Sequence, residues 1–274
     1  MKKFTLSLSL ILLCAFIYSC QKDDEINVPK KQEQFCPSKL DIVINRQSDV
    51  DIAKANYKRC DTIFGDVIIR DTYHYEETIT DISFLNRFKG VYGNVVIDYI
   101  DSLKTLDILN SATFIKGDLI IKDNEKFESI NGFNNVKEIS GEIYFKRNNA
   151  LKEINGFKTL QKLEAKLEFY QNRKLETING FNEIIQINNN FIFNSNDRLS
   201  SITGFNNLKT VSGKLYMTSN PALFNIRGFD NITSIGDDVT ENGLQIIYSF
   251  IDFSNNTGFV NDPSTWGVDF RVDF

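Results

Sequence analysis

Asp118 and Glu142 stand 24 residues apart in a chain of 274 and fill the same place in two copies of a repeated segment. If those copies stack as neighbouring strands, the two carboxylates lie about 5 Å apart, a separation compatible with the acid pair of a retaining glycosidase. The same column continues as Lys166, Asn190 and Lys214, which is the alternation of a solvated face. Other chemistry is scarcer. His74, in TYHYEE (72 to 77), is the single histidine, and Trp266 is the single tryptophan. No Gly-x-Ser-x-Gly, His-Glu-x-x-His or phosphate-loop motif occurs. A histidine-based triad would have to be assembled around His74 alone. No catalytic residue, metal site or cofactor is therefore expected, and a β-helix carbohydrate-active enzyme is kept as the alternative.

The elements that position these residues follow from a strict internal period. FESINGFNNVKEISGEIYFKRNNA (127 to 150), LKEINGFKTLQKLEAKLEFYQNRK (151 to 174), LETINGFNEIIQINNNFIFNSNDR (175 to 198) and LSSITGFNNLKTVSGKLYMTSNPA (199 to 222) are each 24 residues long. Gly132, Gly156, Gly180, Gly204 and Gly228 keep the period, as do the phenylalanines that follow them and Asn124, Asn148, Asn172, Asn196 and Asn220. A second column, Gly65, Gly93, Gly117, Gly141 and Gly213, extends the array toward the N-terminus, with a step of 28 between its first two members. Repeats of this length are the signature of a solenoid.

After the second glycine column comes an alternating segment: Val67 and Ile69, Val95 and Ile97, Leu119 and Ile121, and so on to Leu215 and Met217. A period of two predicts strands. Elsewhere apolar residues recur at every third position, as in Leu151, Ile154, Phe157, Leu160 and Leu163, but Asn-Gly at 131, 155 and 179 favours turns over a helix. The expected fold is all-β, a right-handed parallel β-solenoid of about seven turns, in which each turn buries its apolar face only against its neighbours. The glycines are expected to supply corner dihedrals closed to other residues, the phenylalanines to fill the core, and the asparagines to bond the backbone of adjacent turns.

CDTIFGDVII (60 to 69), ISFLNRFKGVYGNVVI (82 to 97) and FIKGDLIIKDN (114 to 124) resemble the receptor L domain, a leucine-rich-repeat-like solenoid that forms the ligand-binding lobes of growth-factor receptors. The resemblance spans residues 36 to 236. It implies that DVDIAKANY (49 to 57) is an N-terminal capping helix with Ile52 and Ala55 facing the core. After Gly236 the period fades, and 237 to 274 are expected to form a C-terminal cap. The chain has no cysteine-rich module of the receptor type, and its regular INGF corners are also similar to leucine-rich repeats.

Outward positions of the strands form two columns. The first reads Ile68, Val96, Ile120, Tyr144, Glu168, Ile192 and Tyr216; the second contains Arg70, Asp98, Lys122, Lys146, Tyr170, Asn194 and Thr218. Aromatic and aliphatic groups with charges alongside are the composition of recognition surfaces. Ile120, Tyr144, Glu168, Tyr170, Ile192 and Tyr216 are the expected ligand-binding face for an extracellular protein or glycan. A covering loop or sheet partner, as in a purely structural surface protein, is the other reading.

The N-terminus supplies an address. Met1-Lys2-Lys3 precedes an apolar run from Phe4 to Tyr18, the pattern of a signal peptide and too short for a comfortable membrane span. Ile17-Tyr18-Ser19-Cys20 resembles the lipobox of bacterial lipoproteins, which implies cleavage after residues 1 to 19 and acylation of Cys20. Gln21-Lys22-Asp23-Asp24-Glu25 resembles the lipoprotein export signal of Bacteroidota, which implies display on the cell outer membrane. Residues 20 to 35, rich in Lys, Asp, Glu and Gln, read as a flexible tether.

Cys14 leaves with the leader and Cys20 takes lipid, so Cys36 and Cys60 remain. In an oxidising compartment they are expected to pair, the alternative being two buried thiols. Loss of Lys2 and Lys3 moves the formal charge from −5 to −7, which argues against nucleic acid as a partner. Replacing Cys20→Ser is expected to leave an unprocessed precursor absent from the membrane fraction; normal processing and membrane retention would exclude lipid anchoring at this residue.

Overall fold

In the computed structural model of the chain, each alternating segment is one strand of a parallel sheet. The structure describes residue 36, residues 40–71 and 77–236, and the backbone of 238–241, 244–247 and 251–252. Val67–Arg70, Val95–Asp98, Leu119–Lys122, Ile143–Lys146, Leu167–Tyr170, Phe191–Asn194 and Leu215–Thr218 pair in chain order. Each pairing joins residues one repeat apart, as Ile143 with Leu167, and the 28-residue step from Val67 to Val95 keeps the same register. Ile42–Ile44 extends this sheet at one end and Ile251–Asp252 at the other, giving nine strands where the sequence pattern marks seven.

Two further parallel sheets run beside it. One has eight two-residue strands, from Thr62–Ile63 to Ser234–Ile235, and the other five, from Thr105–Leu106 to Ser201–Ile202. The chain is thus a parallel β-solenoid of about eight turns. Leu151, Ile154, Phe157, Leu160 and Leu163 are all fully buried; their three-residue spacing reflects short strands alternating with corners. Beyond the solenoid strands, Asp238–Glu241 pairs antiparallel with Leu244–Ile247.

Helix α1, Gln47–Asn56, packs against Ile42–Ile44. Its inward face differs from the expectation. Val50, Ala53 and Tyr57 are buried, whereas Ile52 is 58% exposed and Ala55 is also exposed. Positions i, i+3 and i+7 share one side of a helix, and Ile52 lies off it. Tyr57 meets the edge of Phe88 at a centroid distance of 5.8 Å, and its hydroxyl donates to the Leu40 carbonyl. Cys36 and Cys60 form a disulfide with Cα atoms 5.4 Å apart. Closing that loop contributes roughly 3 to 4 kcal/mol on the chain-entropy account.

The corners correct the expectation about glycine. None of Gly132, Gly156, Gly180, Gly204 and Gly228 has a positive φ; the left-handed conformation falls on the next residue, Phe133 at 63°, Phe157 at 59°, Phe181 at 64° and Phe205 at 64°. Contact is what requires glycine. A Cβ on Gly156, Gly180, Gly204 or Gly228 would be driven into the carbonyl oxygen of the glycine one turn earlier. A left-handed conformation costs a residue with a Cβ about 1 to 2 kcal/mol. Burial of the ring contributes about 1.5 to 3 kcal/mol and aromatic stacking about 0.5 to 1.5 more. Stacking is what the corner achieves: Phe133, Phe157, Phe181 and Phe205 lie within 10° of parallel, with centroids 4.9, 4.5 and 5.1 Å apart. Phe145, Phe169 and Phe193 form a second stack, and the two meet edge to face, as Phe145 and Phe157 do at 6.0 Å and 85°.

Asparagine closes the remaining corner. Asn148, Asn172, Asn196 and Asn220 are fully buried, and their Nδ2 atoms donate to the carbonyls of Ile121, Phe145, Phe169 and Phe193 at 2.9 to 3.0 Å. Each Oδ1 of Asn172, Asn196 and Asn220 accepts from the backbone N–H of the asparagine one turn earlier at 3.1 Å. A buried amide left without such partners costs about 1 to 3 kcal/mol. In chemical denaturation, Phe157→Ala is expected to lower stability by about 3 to 5 kcal/mol, and Gly180→Ala by about 1 to 3 kcal/mol through overpacking. A Gly180→Ala protein as stable as the parent would contradict the contact account of the corner.

Candidate ligand-binding face

The outward residues of the nine-stranded sheet stand in line because the sheet keeps its register. Ile120, Tyr144, Glu168, Ile192 and Tyr216 are consecutive partners across five strands. Tyr170 falls in the neighbouring column, between Lys146 and Asn194. All six expected face residues share one surface and all are half-buried. Tyr144 and Tyr216 are separated by three strand intervals, about 14 Å.

Lysines hold the centre of the face. Lys146 Nζ sits 5.7 Å from the Tyr144 ring centre and 5.3 Å from that of Tyr170, and Lys166 Nζ approaches Tyr144 at 5.5 Å. Such contacts contribute about 0.5 to 1 kcal/mol each at exposed sites. Lys166 also binds Glu168 at 2.9 Å and Glu142 at 3.3 Å, leaving the Glu168 side chain only 14% exposed. Burial opposes the charge of Lys166, but hydrogen bonds to Glu168 and Glu142 outweigh it and hold the ammonium above the usual lysine value. Burial raises the Tyr144 phenol above its ordinary 10.0, and the neighbouring Glu168 charge adds to that shift. Ion pairs and ring contacts thus hold these side chains in place on the sheet.

Asp118 and Glu142, the expected carboxylate alternative, have structural partners. Asp118 Oδ1 accepts the Glu142 backbone N–H at 2.8 Å, while the Glu142 carboxylate pairs with Lys166. The same side-chain-to-backbone bond recurs from Asp66 to Asn94, from Asn94 to Asp118 and from Asn190 to Lys214. The column is a ladder that ties one turn to the next.

A further aromatic group lies on the eight-stranded side and has no counterpart in the expected site. Phe64 stacks on Tyr92 at 5.0 Å and 7°, Tyr92 meets Phe114 at 5.1 Å, and Phe64 and Tyr92 are 41% and 50% exposed. Gly90 leaves the space in which the Phe114 ring lies. The signal was available in the sequence: Phe64 and Tyr92 share a column whose later members are Lys116, Ser140 and Glu164. Cys20 and His74 lie outside the described residues.

Searches against protein-family models, curated proteins and solved structures find no match for this chain. Geometry and sequence therefore carry the functional argument. A difference titration between the parent protein and Tyr144→Phe is expected to isolate a phenol ionising above pH 10, and Glu168→Gln is expected to lower that value. A Tyr144 titration at or below the free-tyrosine value would show that the face is more open and less charged than described.

Proposed function

We propose that this protein is a surface lipoprotein that recognises an extracellular protein or glycan through the outward face of its nine-stranded sheet, without catalysis. The observation that carries the reading is the packing of Tyr144: its ring is flanked by Lys146 and Lys166 on a rigid sheet, in line with Ile192 and Tyr216. Tyrosines fixed beside charges at the centre of a patch are the residues that dominate binding energy in known interfaces. The resemblance to the receptor L domain supports the same face as the ligand side.

The leader, Cys20 and the acidic run after it support anchoring at the outer membrane, on its external side. Three acyl chains hold a protein firmly where one is marginal. The acidic balance of the chain, −5 overall, supports a partner other than nucleic acid. The structural partners of Asp118 and Glu142 support a non-catalytic reading over a glycosidase.

The test is a panel of extracellular proteins and glycans presented to the immobilised full-length protein. Tyr144→Ala and Tyr216→Ala are each expected to weaken capture of the identified partner by tenfold or more, with thermal midpoints close to the parent. Parental binding by both variants would move recognition off this face. Absence of any partner in the panel would favour a structural role at the cell surface.

A further inference from the structure

The second column of the face carries charges that do not cancel. Arg70, Asp98, Lys122 and Lys146 follow one another in register across four strands. Asp98 is fully buried and accepts two bonds from the Arg70 guanidinium, at 2.8 and 2.7 Å. Its distance to Lys122 Nζ is 3.9 Å. Lys146 is then directly opposite Lys122, and among the described residues it has ring contacts with Tyr144 and Tyr170 in place of an ion pair. Like charges directly opposite in a ladder are destabilising.

Another charged column alternates instead. At equivalent positions beside the five-stranded sheet, Lys104, Glu128 and Lys152 alternate in sign, and Glu128 lies 3.9 Å from Lys104 and 2.7 Å from Lys152. Arg147, next in sequence to Lys146, is bound to Asp123, with one contact at 2.9 Å. The Lys122–Lys146 step is thus a local positive excess, flanked by tyrosines, on a chain whose formal charge is −5.

We propose that Lys122 and Lys146, together with Tyr144 and Tyr170, form a subsite for an anionic glycan, a polysaccharide bearing carboxylate or sulfate groups that lies along the stack. The inference rests on the reading of this face as the recognition surface. Side chains repeat along the stack at one strand interval, about 4.8 Å, whereas an extended peptide presents same-side groups at about 6.8 Å and falls out of step with the column. The length of one pyranose unit is close to a single strand interval. The ammonium groups supply countercharge to the acid substituents, and the tyrosine rings beside them supply apolar surface for the C–H face of the sugar.

The experiment titrates the full-length protein with an oligogalacturonate, a sulfated oligosaccharide of equal length, a neutral oligosaccharide and polyglutamate, at low and high salt. At least one anionic glycan is expected to bind about tenfold or more tightly than the neutral one, and to weaken as salt rises. The preferred member of the pair distinguishes carboxylate from sulfate as the group read. Lys122→Gln and Lys146→Gln are each expected to weaken that binding about tenfold, the scale of one charge-assisted contact. Without ligand, Lys146→Gln is expected to melt close to the parental temperature, because the relieved repulsion and the lost ring contacts with Tyr144 and Tyr170 oppose one another. No binding by either anionic glycan, equal binding of the neutral one, preference for polyglutamate, or indifference to both lysine substitutions would each overturn the subsite. Binding of a panel partner that depends on Tyr144 and Tyr216 but not on the lysines would leave the recognition face standing while removing its anionic specificity.

Discussion

Successive turns of this chain must approach to one strand spacing at the corners as well as along the strands, and the rest of the structure depends on that constraint. In a sheet the backbone meets it through hydrogen bonding alone. At a corner, side chains intervene, and the repeat removes them or turns them to use. Glycine at 156, 180, 204 and 228 removes the Cβ that would strike the preceding carbonyl. Asparagine at 172, 196 and 220 puts its amide between turns and satisfies a carbonyl and an N–H of the turn before it. Phenylalanine accepts a left-handed backbone so that its ring can stack on the identical ring above it. The exact recurrence of these three residue types is therefore a statement about packing.

The same constraint governs the surface. Whatever side chain a turn presents, the next turn presents its equivalent about 4.8 Å away, so charges must alternate, pair or be left in conflict. Most of the described columns alternate or pair. Lys166 spans two turns to bind both Glu142 and Glu168, and the ladder of side-chain-to-backbone bonds that Asp66, Asn94 and Asp118 begin gives way there to ion pairing. Tyr144 is half-buried because these lysines close over it.

Much of this architecture was legible in the sequence, because translation by a fixed number of residues maps each position onto its structural equivalent. The seven long strands, their register and the inward phenylalanines follow directly. What recurrence cannot distinguish is why a residue recurs. A glycine required by contact and one required by a dihedral leave the same column, and only the position of the positive φ, on Phe157 and its equivalents, separates them. Ile42–Ile44 was missed because three residues ahead of the first glycine column carry no repeat of their own. On α1 a short helix with few apolar residues leaves its orientation open to the sequence: Val50, Ala53 and Tyr57 share the side that meets the core, and Ile52 and Ala55 face outward. For the candidate face, alternation identified the outward residues but not the extent to which Lys146 and Lys166 cover them.

A stack of this kind sums its stability over nearest-neighbour contacts, so no one turn must be optimal. That property bears on the face. The paired aromatic ladders lie inside the turns that carry Tyr144, Tyr170 and Lys146, and the asparagine ladder continues beside Lys122, where Ile121 takes the place of a ring. Repulsion between two half-exposed lysines acts through a high dielectric and amounts to a small fraction of what one buried ring contributes. The interior can therefore hold an electrostatic conflict at the surface in a fixed geometry, where a less ordered scaffold would relieve it by moving. Held in place, the conflict becomes a difference in free energy between the empty face and the face neutralised by an anion, and such a difference is what selects one ligand over another.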